Sequence, residues 1–242
     1  MIGSENRMET EAATMSKHET LEHIRRSGVV AVIRADSFEQ GMRLAEAVYK
    51  GGIKAVEITM TVPDAIDLIH RLMQAYRHTD LLIGAGTVLD PETARCCILA
   101  GAQYIVSPSL QPETLRLCNR YAIACIPGVM TVEECIRALE CGAEVLKLFP
   151  GGAFGPSILR AFKGPLPQAD FMPTGGVSIH TAADWIRAGA VAVGAGSDLT
   201  AGAETDDWAR VAEKAAGYVA EVRRARAARA EARPFMPAYA QG

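Results

Sequence analysis

The feature that most constrains this chain is a recurrence. Short apolar runs alternate with longer amphipathic stretches. The runs are VVAVIR (29–34), AVEITM (55–60), LLIGAG (81–86), QYIVSP (103–108), AIACIP (122–127), EVLKLF (144–149), DFMP (170–173) and AVAVGA (190–195). They start about 23 residues apart, which is room for a strand, a helix and two short loops. A chain that repeats this unit eight times has few ways to bury its strands.

The stretches between the runs carry helical patterning. Over residues 63–77, Ile66, Ile69, Met73 and Tyr76 recur at spacings of three and four, and predict one apolar helix face. Val132, Ile136 and Leu139 mark another stripe. Pro63, Pro91 and Pro112 stand where first helical residues are expected. Gly51, Gly101, Gly142 and Gly189 follow helical patterns, where left-handed caps are expected. A final amphipathic helix is predicted over 206–225, with Trp208, Val211, Ala215, Tyr218 and Val222.

Strands that alternate with helices pair in parallel through right-handed crossovers. Eight such units predict an α/β fold, a single (β/α)8 TIM barrel. The alternative is a doubly wound open sheet, whose dinucleotide turn reads GxGxxG. Gly84-Ala85-Gly86 and Gly194-Ala195-Gly196 both lack the third glycine, and are read as close-approach turns.

Composition sets the outer limits. At 49% apolar and 22% charged, the 242 residues can build a core, and no run is long enough to span a membrane. A formal net charge of −3 argues against a nucleic-acid partner. Residues 1–14 are polar, lack the apolar core of a signal peptide, and are expected to be a disordered extension. The barrel is expected over 15–225, followed by a loose tail over 226–242. From residue 221 onward, five arginines against two glutamates leave a charge of +3, read as a solvated helix end rather than a site for an anionic partner. The six cysteines sit in apolar, regular segments without a CxxC pair, and the five histidines are scattered. They are read as buried, reduced thiols of a cytoplasmic protein, with no metal site.

In a barrel, function sits at the carboxyl ends of the strands. Lys147 lies in the middle of Val-Leu-Lys-Leu-Phe. Burial there disfavours the charged form and exposes a neutral amine, the nucleophile of a Schiff base. Equally open is a lysine that reaches solvent along its stem or pairs with a carboxylate. Glu57, within Val-Glu-Ile-Thr, is either that partner or a general acid/base. Arg34 is a candidate carboxylate clamp, with a salt bridge to Glu57 as its alternative. Thr59 and Thr87 either bond substrate or satisfy nearby backbone. The glycine turns holding Gly175, Gly176 and Gly196, together with the hydroxyl of Ser197, suit a phosphate.

GVVAVIR, VEITM, IGAGTV, IVSP, IPGVMT, LKLFP, KGPLP, PTGGV and VGAGS, in this order over residues 20–200, resemble the 2-keto-3-deoxy-6-phosphogluconate aldolases and their 4-hydroxy-2-oxoglutarate aldolase relatives. The resemblance implies a metal-free, cofactor-free class I aldolase on a homotrimeric barrel, acting on small keto acids that yield pyruvate and an aldehyde phosphate. It implies that Lys147 forms the Schiff base and that Glu57 is the acid/base. It implies a pyruvate pocket lined by Arg34, Thr87, Pro108 and Phe149, beside which Thr59 is a further candidate for bonding substrate. Phosphate would fall to Gly175, Gly176, Gly196 and Ser197. One departure stands out: many members read E-x-T-L-R-T, and Thr61 replaces that arginine. A phosphosugar isomerase or epimerase on the same barrel, and a non-catalytic phosphosugar-binding protein, are the competing readings.

Overall fold

The structure, a computed structural model, describes residues 15–231. The expected extension over 1–14 and the last part of the expected tail lie outside the described residues. Each apolar run contains a strand: β1 (Val29–Ile33), β2 (Ala55–Thr59), β3 (Leu82–Gly86), β4 (Tyr104–Val106), β5 (Ala124–Ile126), β6 (Gly128–Val129), β7 (Val145–Leu148), β8 (Asp170–Pro173) and β9 (Val193–Ala195). Every pairing is parallel, in the orders β5-β4-β3-β2-β1-β9 and β6-β7-β8. Two seams close the ring. At one, Thr174 bridges Gly194 and the Val191 amide donates to Phe171 O at 3.0 Å. At the other, the Lys147 amide donates to Pro127 O at 2.8 Å. The curled sheet is a TIM barrel.

The fifth run holds β5 and ends at Pro127, and β6 follows just beyond it. Pro127, between them, has no N–H to give the ladder.

The connecting helices are α2 (Phe38–Lys50), α3 (Ala65–Ala75), α4 (Pro91–Leu99), α5 (Pro112–Arg120), α6 (Val132–Glu140), α7 (Ser157–Lys163) and α8 (Ile179–Ala188). A short α9 (Ser197–Thr200) follows β9, and α10 (Trp208–Glu231) ends the described chain. Among the described residues no helix is long and apolar enough to cross a membrane.

One helix was not foreseen. α1 (Lys17–Ser27) precedes β1, opened by a capping box between Ser16 and Glu19 and stopped by left-handed Gly28. Its Leu21 and Ile24 pack with inward residues of the barrel, including Val30, Ala55, Leu82, Val145 and Ala192. Arg25 ties it to Asp170 at the start of β8, at 2.9 Å. α1 therefore floors the barrel at the amino ends of its strands.

Several expectations are corrected. The helix predicted over 63–77 starts at Ala65, so Pro63 lies before it, and its buried face is Ala65, Leu68, Ile69 and Leu72, with Ile66 exposed. Two adjacent apolar stripes compete on that sequence, and the sheet selects the one holding both leucines. Gly51 is right-handed and Gly52 takes the positive φ of 96°. Gly51 is instead a packing contact, because an added Cβ would lie 2.3 Å from Ala212 O of α10. The final helix passes the predicted end at 225 and runs to Glu231, so the first residues assigned to a loose tail are helical. Arg226 anchors that extension by donating to Val191 O at 2.6 Å. Cys97, Cys118, Cys125 and Cys135 are buried free thiols, as expected, but Cys96 is exposed.

The GAG segments are not turns. Gly84, Gly86 and Gly194 lie within strands. A Cβ on Gly84 would meet the Tyr104 ring at 2.4 Å, on Gly86 Glu57 Oε1 at 2.0 Å, and on Gly194 Thr174 Oγ1 at 2.2 Å. These glycines clear space inside the barrel for larger side chains from neighbouring strands.

Candidate active site

Strand alternation and register decide what the barrel encloses. On β2, Ala55, Glu57 and Thr59 point inward, with Val32 and Gly84 level with Glu57 on either side. On β7, Val145 and Lys147 point inward, with Gly128 and Met172 beside the lysine. The two polar side chains meet inside the ring. Lys147 Nζ donates to Glu57 Oε1 at 3.2 Å, with side-chain exposures of 4% and 0%. The lysine does not snorkel to solvent. It reaches a carboxylate that is itself sealed.

That pair is incompletely satisfied. Glu57 Oε2 is buried and has no hydrogen-bond partner among the described residues. A buried ion pair compensates its desolvation only when its remaining lone pairs and protons are also met. A free, buried carboxylate oxygen is where a ligand's polar atom or a water fits.

Tyr104, which the sequence reading passed over as part of an apolar run, covers Gly84 and donates to Val56 O at 2.6 Å. Burial first, and then the Glu57 carboxylate, hold its phenol well above the usual range, so it stays protonated.

The rim carries the other expected residues. Phe149 follows β7, with its ring centroid 5.4 Å from Lys147 Nζ. The same ring abuts Gly175, where an added Cβ would lie 2.9 Å away. Phe149 thus connects the lysine to the glycine turn. Thr87, just past β3, is non-glycine yet sits at φ 57°. Backbone strain of this kind is concentrated at binding sites. Pro108 is half-buried beyond β4, and its carbonyl comes so close to Gly128 that no side chain fits there.

At two rim residues the geometry decides between the alternatives. Thr59 is fully buried; its hydroxyl lies 3.1 Å from Ile33 O and 2.7 Å from Thr61 Oγ1, so it serves local backbone and a neighbouring hydroxyl. Arg34 does not bridge to Glu57, whose cation is Lys147. It is exposed and stands on the border of two cavities.

The first cavity, about 200 Å³, is lined by Val32, Arg34, Thr174, Gly175, Gly176, Val177, Ser178, Gly196, Ser197 and Asp198. Gly175 and Gly176 have φ of 80° and 75°. Gly152 donates to Gly175 O at 2.7 Å and Gly151 to Thr174 O at 2.8 Å, so the segment after Phe149 braces the turn. A Cβ on Gly176 would meet Gly152 Cα at 2.7 Å. All four predicted anion-site residues therefore face one space. Thr174, Ser178 and Asp198 join them and were not anticipated. Thr174 directly precedes Gly175, Asp198 directly follows Ser197, and Ser178 lies two residues past Gly176; that proximity was the available signal.

The second cavity, about 400 Å³, shares Val32, Arg34 and Ser197 with the first and adds Thr61, Gln40, Asp36, Thr200 and Glu204. Neither cavity is lined by Lys147 or Glu57. The pair lies below, with Val32 as the common wall: it is level with Glu57 in the ladder and borders both cavities.

Comparison with known proteins gives this geometry its context. A family model described as KDPG and KHG aldolase matches residues 21–214. The 2-dehydro-3-deoxy-6-phosphogalactonate aldolase of Escherichia coli is 36% identical over 198 residues, 81% of this chain and 95% of that protein. The 2-dehydro-3-deoxy-phosphogluconate aldolase of Pseudomonas aeruginosa is 37% identical over 190 residues, 77% of this chain and 86% of that one. The KDPG aldolase of Legionella pneumophila, solved with pyruvate captured at low pH as a covalent carbinolamine intermediate, superposes with a TM-score of 0.75 at 32% identity. That superposition covers 81% of this chain and 96% of the other.

Proposed function

The chain belongs to the KDPG and KHG aldolase family and is an aldolase, a lyase; on that premise we propose that it cleaves a 2-keto-3-deoxy-6-phospho sugar acid through a lysine imine. The substrate proposed is 2-dehydro-3-deoxy-6-phosphogluconate or its C4 epimer, either of which gives pyruvate and glyceraldehyde 3-phosphate. 4-Hydroxy-2-oxoglutarate, giving pyruvate and glyoxylate, is the smaller substrate of the same chemistry. Family membership favours this over the isomerase and non-catalytic readings. The carrying observation is the buried Lys147–Glu57 contact at 3.2 Å with one carboxylate oxygen left open.

Glu57 Oε1 is within reach to take a proton from Lys147 and free the amine. Nζ attacks the C2 ketone, and the carbinolamine hydroxyl leaves as water on taking the proton held by Glu57, which gives a protonated imine and restores the carboxylate. Glu57, directly or through a water, removes the C4 hydroxyl proton. As the C4 carbonyl forms, the C3–C4 bond breaks and its electron pair passes into the imine, leaving an enamine. The imine supplies the electron sink, so the step needs neither a metal nor a cofactor. Glu57 returns a proton to C3, and hydrolysis releases pyruvate from Lys147.

Around this centre, Thr87, Pro108 and Phe149 are proposed to wall the pyruvate moiety, with Thr59 holding the β1–β2 rim. Arg34 is proposed to clamp an anionic end of the substrate. The first cavity, with Gly175, Gly176, Gly196 and Ser197, is proposed to take the phosphate. The active protein is proposed to be a homotrimer, which sedimentation measures directly.

Borohydride reduction in the presence of pyruvate is the deciding experiment. A pyruvate-derived mass on Lys147 is expected. An adduct on another lysine, or none, rejects the mechanism.

A further inference from the structure

The cavity proposed for phosphate contains a carboxylate. Asp198 lines it beside the glycine turns. An uncompensated aspartate there would repel the anion the site is meant to hold. Its surroundings resolve the conflict, and the partners come from α10, an element outside the mouth.

Lys214 of α10 donates to Asp198 Oδ1 at 2.9 Å and to Asp198 O at 2.6 Å. Tyr218, one helical turn on, donates its hydroxyl to Asp198 Oδ2 at 2.7 Å; the same hydroxyl lies 3.2 Å from Val177 O. The Ile179 amide, at the start of α8, donates to Asp198 Oδ2 at 3.2 Å. Asp198 thus binds across both loops of the cavity, the one following β8 and the one following β9. α10 closes on this junction at Gly217, where a Cβ would lie 2.5 Å from Ile179 Cδ1.

We infer that Lys214 and Tyr218 are positioning residues for the phosphate site, acting through Asp198. Lys214 cancels the carboxylate's field at the cavity wall. Tyr218 fixes the carboxylate's rotamer and, through it, the separation of the two glycine loops. Neither residue touches the Lys147–Glu57 pair. Their effect falls on the phosphorylated end of the substrate and leaves the bond-breaking end alone. This inference rests on reading the cavity as a phosphate site.

The experiment compares Tyr218→Phe, Lys214→Met and Lys214→Arg with the unaltered enzyme. Three quantities are read: KM and kcat for the phosphorylated substrate, inhibition by inorganic phosphate, and borohydride trapping of pyruvate. Tyr218→Phe is expected to raise KM and the phosphate inhibition constant about five- to tenfold, the scale of one charge-assisted hydrogen bond. Lys214→Met is expected to raise both further, because it leaves the carboxylate facing the anion. Lys214→Arg is expected to restore most of the loss. Throughout, kcat and pyruvate trapping stay at the unaltered level. Unchanged KM and phosphate inhibition in Tyr218→Phe and Lys214→Met overturn the inference, as does an equal loss of pyruvate trapping, which marks a merely structural role. An unaltered enzyme insensitive to inorganic phosphate rejects the phosphate reading itself, before any variant is compared.

Discussion

Lys147 and Glu57, from strands on opposite parts of the ring, meet at 3.2 Å in a space closed to solvent. Ninety residues separate them in sequence. The contact gives the lysine a proton acceptor and the carboxylate a cation, and it leaves one buried carboxylate oxygen without a partner among the described residues. Glu57→Gln, which no longer takes the proton from Lys147, is expected to trap pyruvate at Lys147 more slowly but still to completion, while turnover falls by about a hundredfold or more. Turnover at the unaltered rate in this variant would remove the acid/base role.

Gly86 governs where that carboxylate sits. A methyl group there would fall 2.0 Å from Glu57 Oε1. Gly86→Ala must push the side chain aside, and displacements of this order cost about a hundredfold in rate. The expected result is a folded protein, by circular dichroism, with turnover reduced about as far as in Glu57→Gln. Full activity would mean that the carboxylate's position is not critical.

Thr61 is the position at which the resemblance implies an arginine. Its hydroxyl is engaged with Thr59 at 2.7 Å, and it borders the larger cavity together with Arg34, Asp36 and Glu204. Thr61→Arg is expected to change the ratio of kcat/KM between the phosphogluconate acid and its C4 epimer by about tenfold. Pyruvate trapping should be unaffected. A constant ratio would free Thr61 of any part in substrate choice.

The floor helix carries a titratable group. Burial depresses the His23 pKa below its ordinary 6.5, outweighing the rise from a backbone hydrogen bond at Lys54. The unfolded chain therefore takes up this proton first as pH falls. The histidine's contribution to stability is present above pH 6.5 and is lost as pH drops through the lower folded value. Urea unfolding from pH 7.5 down to 5 should show declining stability, with a shallower decline in His23→Gln. Parallel profiles would assign the decline to other groups.

Much of this was readable in advance, for identifiable reasons. The spacing of the runs is a local property, and each produced a strand where it was expected. Lys147 and Glu57 were conspicuous because charged residues inside apolar strands have few harmless places to go. What escaped depended on contacts between distant elements. α1 has a clear capping box, but its purpose as a floor exists only once the barrel closes. Gly84 and Gly86 look like turn residues until Tyr104 and Glu57 are seen to occupy the space they leave. Asp198 needed Lys214 and Tyr218 beside it, and α10 looked like an ordinary outer helix. Arg34 could be paired with Glu57 on paper, but Lys147 already holds that carboxylate.

A barrel stoppered by α1 is a cup, and a cup empties from the top. The proposed imine forms one side-chain layer above the floor, beside Val32 and beneath the cavity proposed for phosphate, so traffic follows a single route. The phosphorylated fragment occupies the rim and must leave first. Pyruvate, bonded below, departs last. Ordered product release is thereby built into the vessel's shape, and in the synthetic direction the same shape obliges pyruvate to enter before its aldehyde partner.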